Sequence, residues 1–245
     1  VTKIEEGAFE KCSGFNGSLK ISSNVTDIGY VAFEDCRGLK GNLTIPDSVK
    51  KIGTSAFYGC TSLDGDVYIP ALDELDDPSI FGGDTNFKGT LTVKAKKITT
   101  GGVFSDVKFN KVIIESTVEE ILYPFLRLSD DARCHLIFKN GIKTIGSSGV
   151  FAGNSGFTGD LILPNSLINL GGSAFYNCGF NGDLTIPSGV QAIECGTFYG
   201  CKFKGTLTVG CKNITDSAFN DGGIANMSKL VIQDTVESIG SYAFR

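Results

Sequence analysis

The chain has no tryptophan, one methionine, one histidine and six prolines among 245 residues. A single histidine, His135, with no C-x-x-C pair anywhere, does not make up a usual zinc ligand set. No run of five or more basic residues occurs and the net charge is −5. That speaks against nucleic acid or an anionic membrane as the main partner. No apolar run approaches the ~18 residues a spanning helix needs, so no membrane insertion is expected. No charged-then-apolar leader opens the chain. No cofactor motif is present, and none is expected to bind.

Glycine, phenylalanine and cysteine are plentiful, at 32, 18 and 8 residues, and they recur in a phrase. Residues 52–60 read IGTSAFYGC. Aligned on its phenylalanine, the phrase recurs at Phe9, Phe33, Phe57, Phe81, Phe104, Phe125, Phe151, Phe175, Phe198, Phe219 and Phe244, at steps of 21 to 26 residues. A repeat this short cannot bury a core alone, so neighbouring units must stack into one.

Each unit has four parts. The first is an apolar-x-apolar triplet such as 43–45 (LTI), matched at 19–21, 67–69, 91–93, 112–114, 136–138, 161–163, 184–186, 207–209 and 230–232. Alternation points two side chains one way and the middle one the other, as in a strand. Ten strands, one per unit, predict a parallel sheet. The second is a corner, where Pro46, Pro70, Pro164 and Pro187 end ladder pairing. The third is V-x-x-I, as at Val49/Ile52, followed by Gly29, Gly53, Gly146, Gly171 or Gly240, where positive φ is expected. The fourth is A-F-x-x-C, whose i, i+1, i+4 spacing predicts one helical or 3-10 turn. A return loop then carries a second large apolar residue, such as Phe87, Phe157, Phe180 or Phe203. Eleven phenylalanines are anchors and five are return-loop residues. Phe109 and Phe138 complete the 18, so none is left to form an aromatic binding platform.

The stretch LTIPDSVKKIGTSAFYGCTSL, residues 43–63, resembles the BspA-type (Treponema-type) leucine-rich repeat, and the likeness runs nearly end to end. The resemblance implies an α/β-class, right-handed leucine-rich-repeat solenoid with a parallel β-sheet and short helical or 3-10 turns. It implies a single domain, 1–245, of about ten to eleven repeats, without catalysis. Neither end reads as a polar capping repeat, so a fragment of a longer protein is expected. The family is common on bacterial cell surfaces and among secreted proteins. It implies adhesion to a host or extracellular-matrix protein, with an extracellular or cell-surface location. Two units depart from the pattern. Residues 71–85 lack the cysteine, and residues 115–135 are stretched, with Pro124 before Phe125. A bend or bulged loop is expected there.

The residues that might carry chemistry are few. Cys12, Cys36, Cys60, Cys178 and Cys201 stand three after an anchor, and Cys211 replaces the valine of V-x-x-I, so these six read as core positions. Stacked cysteines ~4.8 Å apart are also within disulfide reach. Cys134 and Cys195 are off-pattern. His135 precedes a strand at an outward position with no evident nucleophile. Asp73, Glu74, Asp76 and Asp77 cluster without the spacing of a calcium loop. Asn16, Asn24, Asn42, Asn213 and Asn226 fit N-x-Ser/Thr.

The outward row of the strands reads Lys20, Thr44, Tyr68, Thr92, Ile113, Ile137, Ile162, Thr185, Thr208, Val231. Three isoleucines in consecutive units are unusual on a solvated face. Either they form a binding ridge or the stretched loop covers them. Tyr68, Ile113, His135, Ile137 and Ile162 are the candidate protein-binding residues. A structural stalk that presents another domain is the alternative function. A polysaccharide-acting β-helix enzyme would need clustered outward acids, for which Asp66, Asp160 and Asp183 are the candidates.

Overall fold

In the computed structural model, which describes residues 1–83, 86–219 and 224–245, the apolar triplets pair in parallel from unit to unit. Leu43, Val67, Leu91, Val112 and Leu136 lie opposite one another in sequence, as do Leu161, Leu184, Leu207 and Leu230. The chain is thus a β-solenoid of stacked coils. Its twelve largest fully buried side chains are all phenylalanines, because the coil interior is filled by the anchor and return-loop rings.

The long strands number nine among the described residues, and they form two sheets of five and four. The first expected strand, 19–21, is unpaired. It forms no ladder with Leu43–Thr44, although Lys3–Ile4 of the same coil pairs with Asp27–Ile28. An open cavity of about 580 Å³ separates 19–21 from Leu43–Thr44.

A second row of strands runs down another side. The V-x-x-I motif ends in a two-residue strand in each coil, eleven in all among the described residues, from Lys3–Ile4 to Ser238–Ile239. Outward positions alternate in charge along this row. Lys3 lies opposite Asp27 and Asp27 opposite Lys51, and then Glu74 opposite Lys97 and Lys97 opposite Glu120. Lys97 and Glu120 form an ion pair at 3.2 Å. Farther on, the outward residues are Thr144, Asn169, Ala192, Asn213 and Ser238, all uncharged.

The expected helical or 3-10 turn of the A-F-x-x-C phrase does not form, and the described residues contain no helix. The fold is all-β, not α/β. The backbone shows why. Ser55 and Gly59, two residues either side of Phe57, have φ of 56° and 69°, and Val31/Asp35 and Ser173/Asn177 flank Phe33 and Phe175 in the same way. A left-handed residue every fourth position breaks any helix. N–H groups then alternate between local and inter-coil acceptors. Tyr58 and Cys60 donate to Ser55 and Phe57, whereas Phe57 and Gly59 donate to Ile80 and Gly82 of the next coil.

The glycines after V-x-x-I also differ from expectation. Gly29, Gly53, Gly146, Gly171 and Gly240 are not among the positive-φ residues. They permit close approach instead. A Cβ on Gly53 would sit 2.4 Å from the backbone nitrogen of Tyr30, one coil away, a distance no side chain tolerates.

The anchor rings form two parallel stacks. Phe9, Phe33, Phe57, Phe81 and Phe104 stack at 5.1, 5.2, 5.7 and 4.9 Å, and Phe151, Phe175, Phe198, Phe219 and Phe244 at 5.3, 5.8, 5.8 and 5.2 Å. Phe125 lies between the stacks and meets Phe151 edge-on. The residue before a proline is pushed to extended backbone, so Tyr123, ahead of Pro124, cannot supply the left-handed turn. Leu126–Leu128 instead pairs with Phe104–Val107 as an extra strand, with a register shift between Leu126 and Leu128. The irregularity expected in 115–135 is therefore a shifted strand. In the other irregular unit, Ile80 and Phe81 are buried in regular positions. Its residues 84 and 85 lie outside the described residues.

Candidate functional site

The outward row of the long strands is the surface to which the candidate residues belong. Strand register places Tyr68 opposite Thr92, Thr92 opposite Ile113, and Ile113 opposite Ile137. Ile162 begins the second sheet and faces Thr185. Ile113 is half-buried, Ile137 is 37% exposed and Ile162 is 61% exposed. Among the described residues, no loop covers Ile137 or Ile162. The stretched unit 115–135 is held on the phrase side of the coil by its extra strand.

Tyr68 stands two coils from the isoleucines and is occupied. Its hydroxyl donates to the Asp47 carboxylate at 3.0 and 3.1 Å, and Lys94 donates to the same group at 2.7 Å. The Lys94 ammonium also lies 5.5 Å from the Tyr68 ring centre. Lys94 holds the Asp47 carboxyl below its usual range; burial opposes the effect, and the Tyr68 bond adds to it. His135 is exposed at the start of His135–Phe138. Its ring lies over Gly159 of the following coil, where an added Cβ would come within 3.1 Å of Nδ1. The structure thus brings Ile113, Ile137 and His135 together on neighbouring strands, with Ile162 beyond them and Tyr68 apart.

A family model for the BspA-type leucine-rich repeat region matches residues 2–129 and 128–245. The chain belongs to this family. No curated protein matches its sequence. A leucine-rich repeat protein from Bacteroides ovatus is similar at 20% identity, with a TM-score of 0.47 over 90% of this chain and 68% of that one. A leucine-rich cell surface protein from Faecalibacterium prausnitzii is similar at 18% identity, with a TM-score of 0.34 over 95% of this chain and 83% of that one.

In this BspA-type solenoid the outward acids do structural work that the sequence reading missed. In four of the nine long strands the position just before the apolar triplet carries Asn42, Asp66, Asp160 or Asp183. Each side-chain oxygen accepts a backbone N–H of the next coil. Asn42 takes that of Asp66 at 2.9 Å, Asp66 that of Thr90 at 2.6 Å, Asp160 that of Asp183 at 2.8 Å, and Asp183 that of Thr206 at 2.6 Å. The recurrence of Asn or Asp at one repeat position was the available signal. These acids therefore act as coil-to-coil struts.

Within the acidic cluster, Asp77 is a turn cap. Its carboxylate accepts the Ser79 N–H at 2.8 Å, the Ser79 hydroxyl at 2.6 Å and the Thr54 hydroxyl. Burial alone would raise its pKa, but these bonds outweigh it and hold the group below the usual range. Among the described residues, no set of three or more His, Cys, Asp or Glu is placed to hold a metal ion.

All eight cysteines are free, and only Cys12 and Cys195 are not buried. Cys134, off-pattern in sequence, is buried where its backbone bridges to Phe157. Desolvation pushes the thiols of Cys60, Cys134 and Cys201 up to about 12 and that of Cys211 to about 11. A buried neutral thiol is a poor nucleophile. Asn154, missed in sequence, occupies the phrase cysteine's position in its coil. Its buried amide accepts the Leu128 N–H at 2.7 Å and donates to the Leu126 and Phe151 carbonyls at 3.2 and 2.8 Å.

Proposed function

We propose that this chain is a single, non-catalytic repeat domain acting outside the cell, and that it binds a protein through the outward face of its long strands. The partner class is a host or extracellular-matrix protein. The observation that carries the reading is the uncovered row Ile113, Ile137 and Ile162. An apolar ridge on an otherwise threonine-rich face is costly to leave in water and gains on being covered. Family membership supports the adhesive role and the surface location. The occupied acids and the inert thiols favour binding over catalysis.

The test replaces Ile137, and separately Ile162, with aspartate and measures binding to a panel of matrix proteins alongside thermal stability. Lost binding with an unchanged melting temperature is the expected result. Lost stability would mean that the ridge is core. A wild-type chain that binds nothing in the panel would favour the stalk reading, which the coil-to-coil ladder of backbone bonds would equally serve.

A further inference from the structure

The coils are joined on up to three sides, the long strands, the short strands and the phrase turns, and the short-strand ladder itself breaks between Lys51–Ile52 and Glu74–Leu75 and between Asn169–Leu170 and Ala192–Ile193. Between the coil of His135–Phe138 and that of Leu161–Ile162 the long-strand ladder is missing. One sheet ends at His135–Phe138 and the next begins at Leu161–Ile162. In coils whose long strands pair, the strand leucine donates its N–H to the following coil, as Leu43 does to Asp66 at 2.8 Å and Leu161 to Asp183 at 2.9 Å. Leu136, the corresponding donor here, has no backbone acceptor in the following coil among the described residues, and the strand of Phe138 forms no ladder with Leu161–Ile162. A single bridge, Cys134 to Phe157, holds the coils just ahead of the gap.

The cause is a register mismatch. Phe157 lies 23 residues after its partner Cys134, whereas Asn169 lies 25 after its partner Thr144 on the short-strand side. Two extra residues therefore fall between bridge and strand, in the stretch 158–160, where Gly159 turns at φ 80°. They take Leu161–Ile162 out of ladder register with its neighbour, although the two strands still lie side by side. The other two sides stay closed. Thr144 and Ile145 pair with Asn169 and Leu170, Phe151 donates to Ala174 at 2.8 Å, and Gly153 donates to Tyr176 at 2.7 Å.

We propose that this gap is a one-sided joint, about which the two halves of the solenoid open and close along the sewn short-strand and phrase sides. A stack tied on two sides and free on the third bends most easily toward and away from the free side. Ile137 stands on one lip and Ile162 on the other, so a partner lying across both would set the angle. The joint exists whether or not the isoleucine row binds anything.

Two measurements on the intact chain test this. Residue-resolved amide hydrogen exchange should show Leu136 and Phe138 exchanging roughly tenfold or more faster than Val112 and Ile114, whose strand is paired on both sides. Pulsed electron spin resonance, with labels introduced as non-natural amino acids, should show a broader distance distribution for Thr44 with Thr208, across the gap, than for Thr44 with Lys111, on one side of it. Fast exchange together with the broader distribution supports the joint. Fast exchange with equal widths means a static gap and overturns it. So does protection of Leu136 and Phe138 equal to that of Val112 and Ile114.

Discussion

The thiol of Cys60 donates to the carbonyl oxygen of Phe33, one coil earlier, at 3.2 Å. The same oxygen already accepts the backbone N–H of Cys36 at 3.2 Å, so the thiol occupies its second lone pair. The arrangement repeats from Cys36 to Phe9 at 3.0 Å and from Cys201 to Phe175 at 3.1 Å, and Cys178 donates at 2.9 Å to Phe151, whose oxygen also accepts the side-chain amide of Asn154. This explains a small weak donor at the phrase's last position, where an alanine would leave the lone pair unused.

These thiols make stability fall in alkali. Burial raises Cys60 and Cys201 from the ordinary 9.0 to about 12, so the folded chain keeps protons that the unfolded chain has lost. The contribution is complete below pH 9 and declines as pH rises from there to about 12, by at most about 1.4 kcal/mol per pH unit for each thiol. Denaturant midpoints between pH 7 and 11 should fall above pH 9. The combined replacement of Cys60, Cys178 and Cys201 by alanine should flatten that fall, and an equally steep fall in the variant would refute the assignment.

The anchor rings set the core. Phe57 is fully buried between Phe33 and Phe81, and Phe57→Ala is expected to cost about 3–5 kcal/mol. Phe9 is 36% exposed, so Phe9→Ala should cost clearly less. A melting temperature for Phe57→Ala close to that of the wild type would defeat the stacked-core account.

Asn154→Leu should cost about 1–3 kcal/mol, because it strands the Leu128 N–H and the Leu126 carbonyl in the interior. Asn154→Cys, which restores the residue of the other coils, should fail to rescue. Its thiol is too weak a donor to replace the amide, and it cannot serve both groups at once. Equilibrium unfolding of both variants checks this, and full rescue by cysteine would show the amide to be dispensable.

The phrase backbone gives opposite expectations two residues either side of Phe57. Gly59→Ala places a Cβ at φ 69° and 2.5 Å from the Asp35 carboxylate, and should cost about 1–2 kcal/mol from the left-handed backbone alone. Ser55→Gly relieves a serine at φ 56° and should be neutral or stabilising by up to about 1 kcal/mol, the gain offset by glycine's greater freedom when unfolded. Thermal melts of the pair decide it, and a destabilised Ser55→Gly would contradict the argument.

The coil-by-coil architecture was legible because Leu43, Phe57 and Cys60 recur at one spacing and stacked coils impose one environment on each position. The outward row of threonines and isoleucines followed from alternation alone. The turn around Phe57 was not legible, since a left-handed Ser55 has the same apolar spacing as a helical one. Nor was the role of Gly53, where tight backbone approach and positive φ select the same residue. Asn154 broke a pattern, but its partners lie 26 and 28 residues away, beyond what local spacing can pair. The exposure of Ile137 and Ile162 depended on the path of unit 115–135, which Pro124 redirected.

The alternating charges of the short-strand row bear on how a repetitive chain avoids misassembly. If the coil of Lys97 were looped out, Glu74 would abut Glu120, and like charges placed directly opposite are destabilising. Skipping two coils restores opposite signs and escapes detection. The row therefore works as a parity check on coil order, strict against odd errors and blind to even ones, and it lapses beyond Glu120, where the outward residues carry no charge.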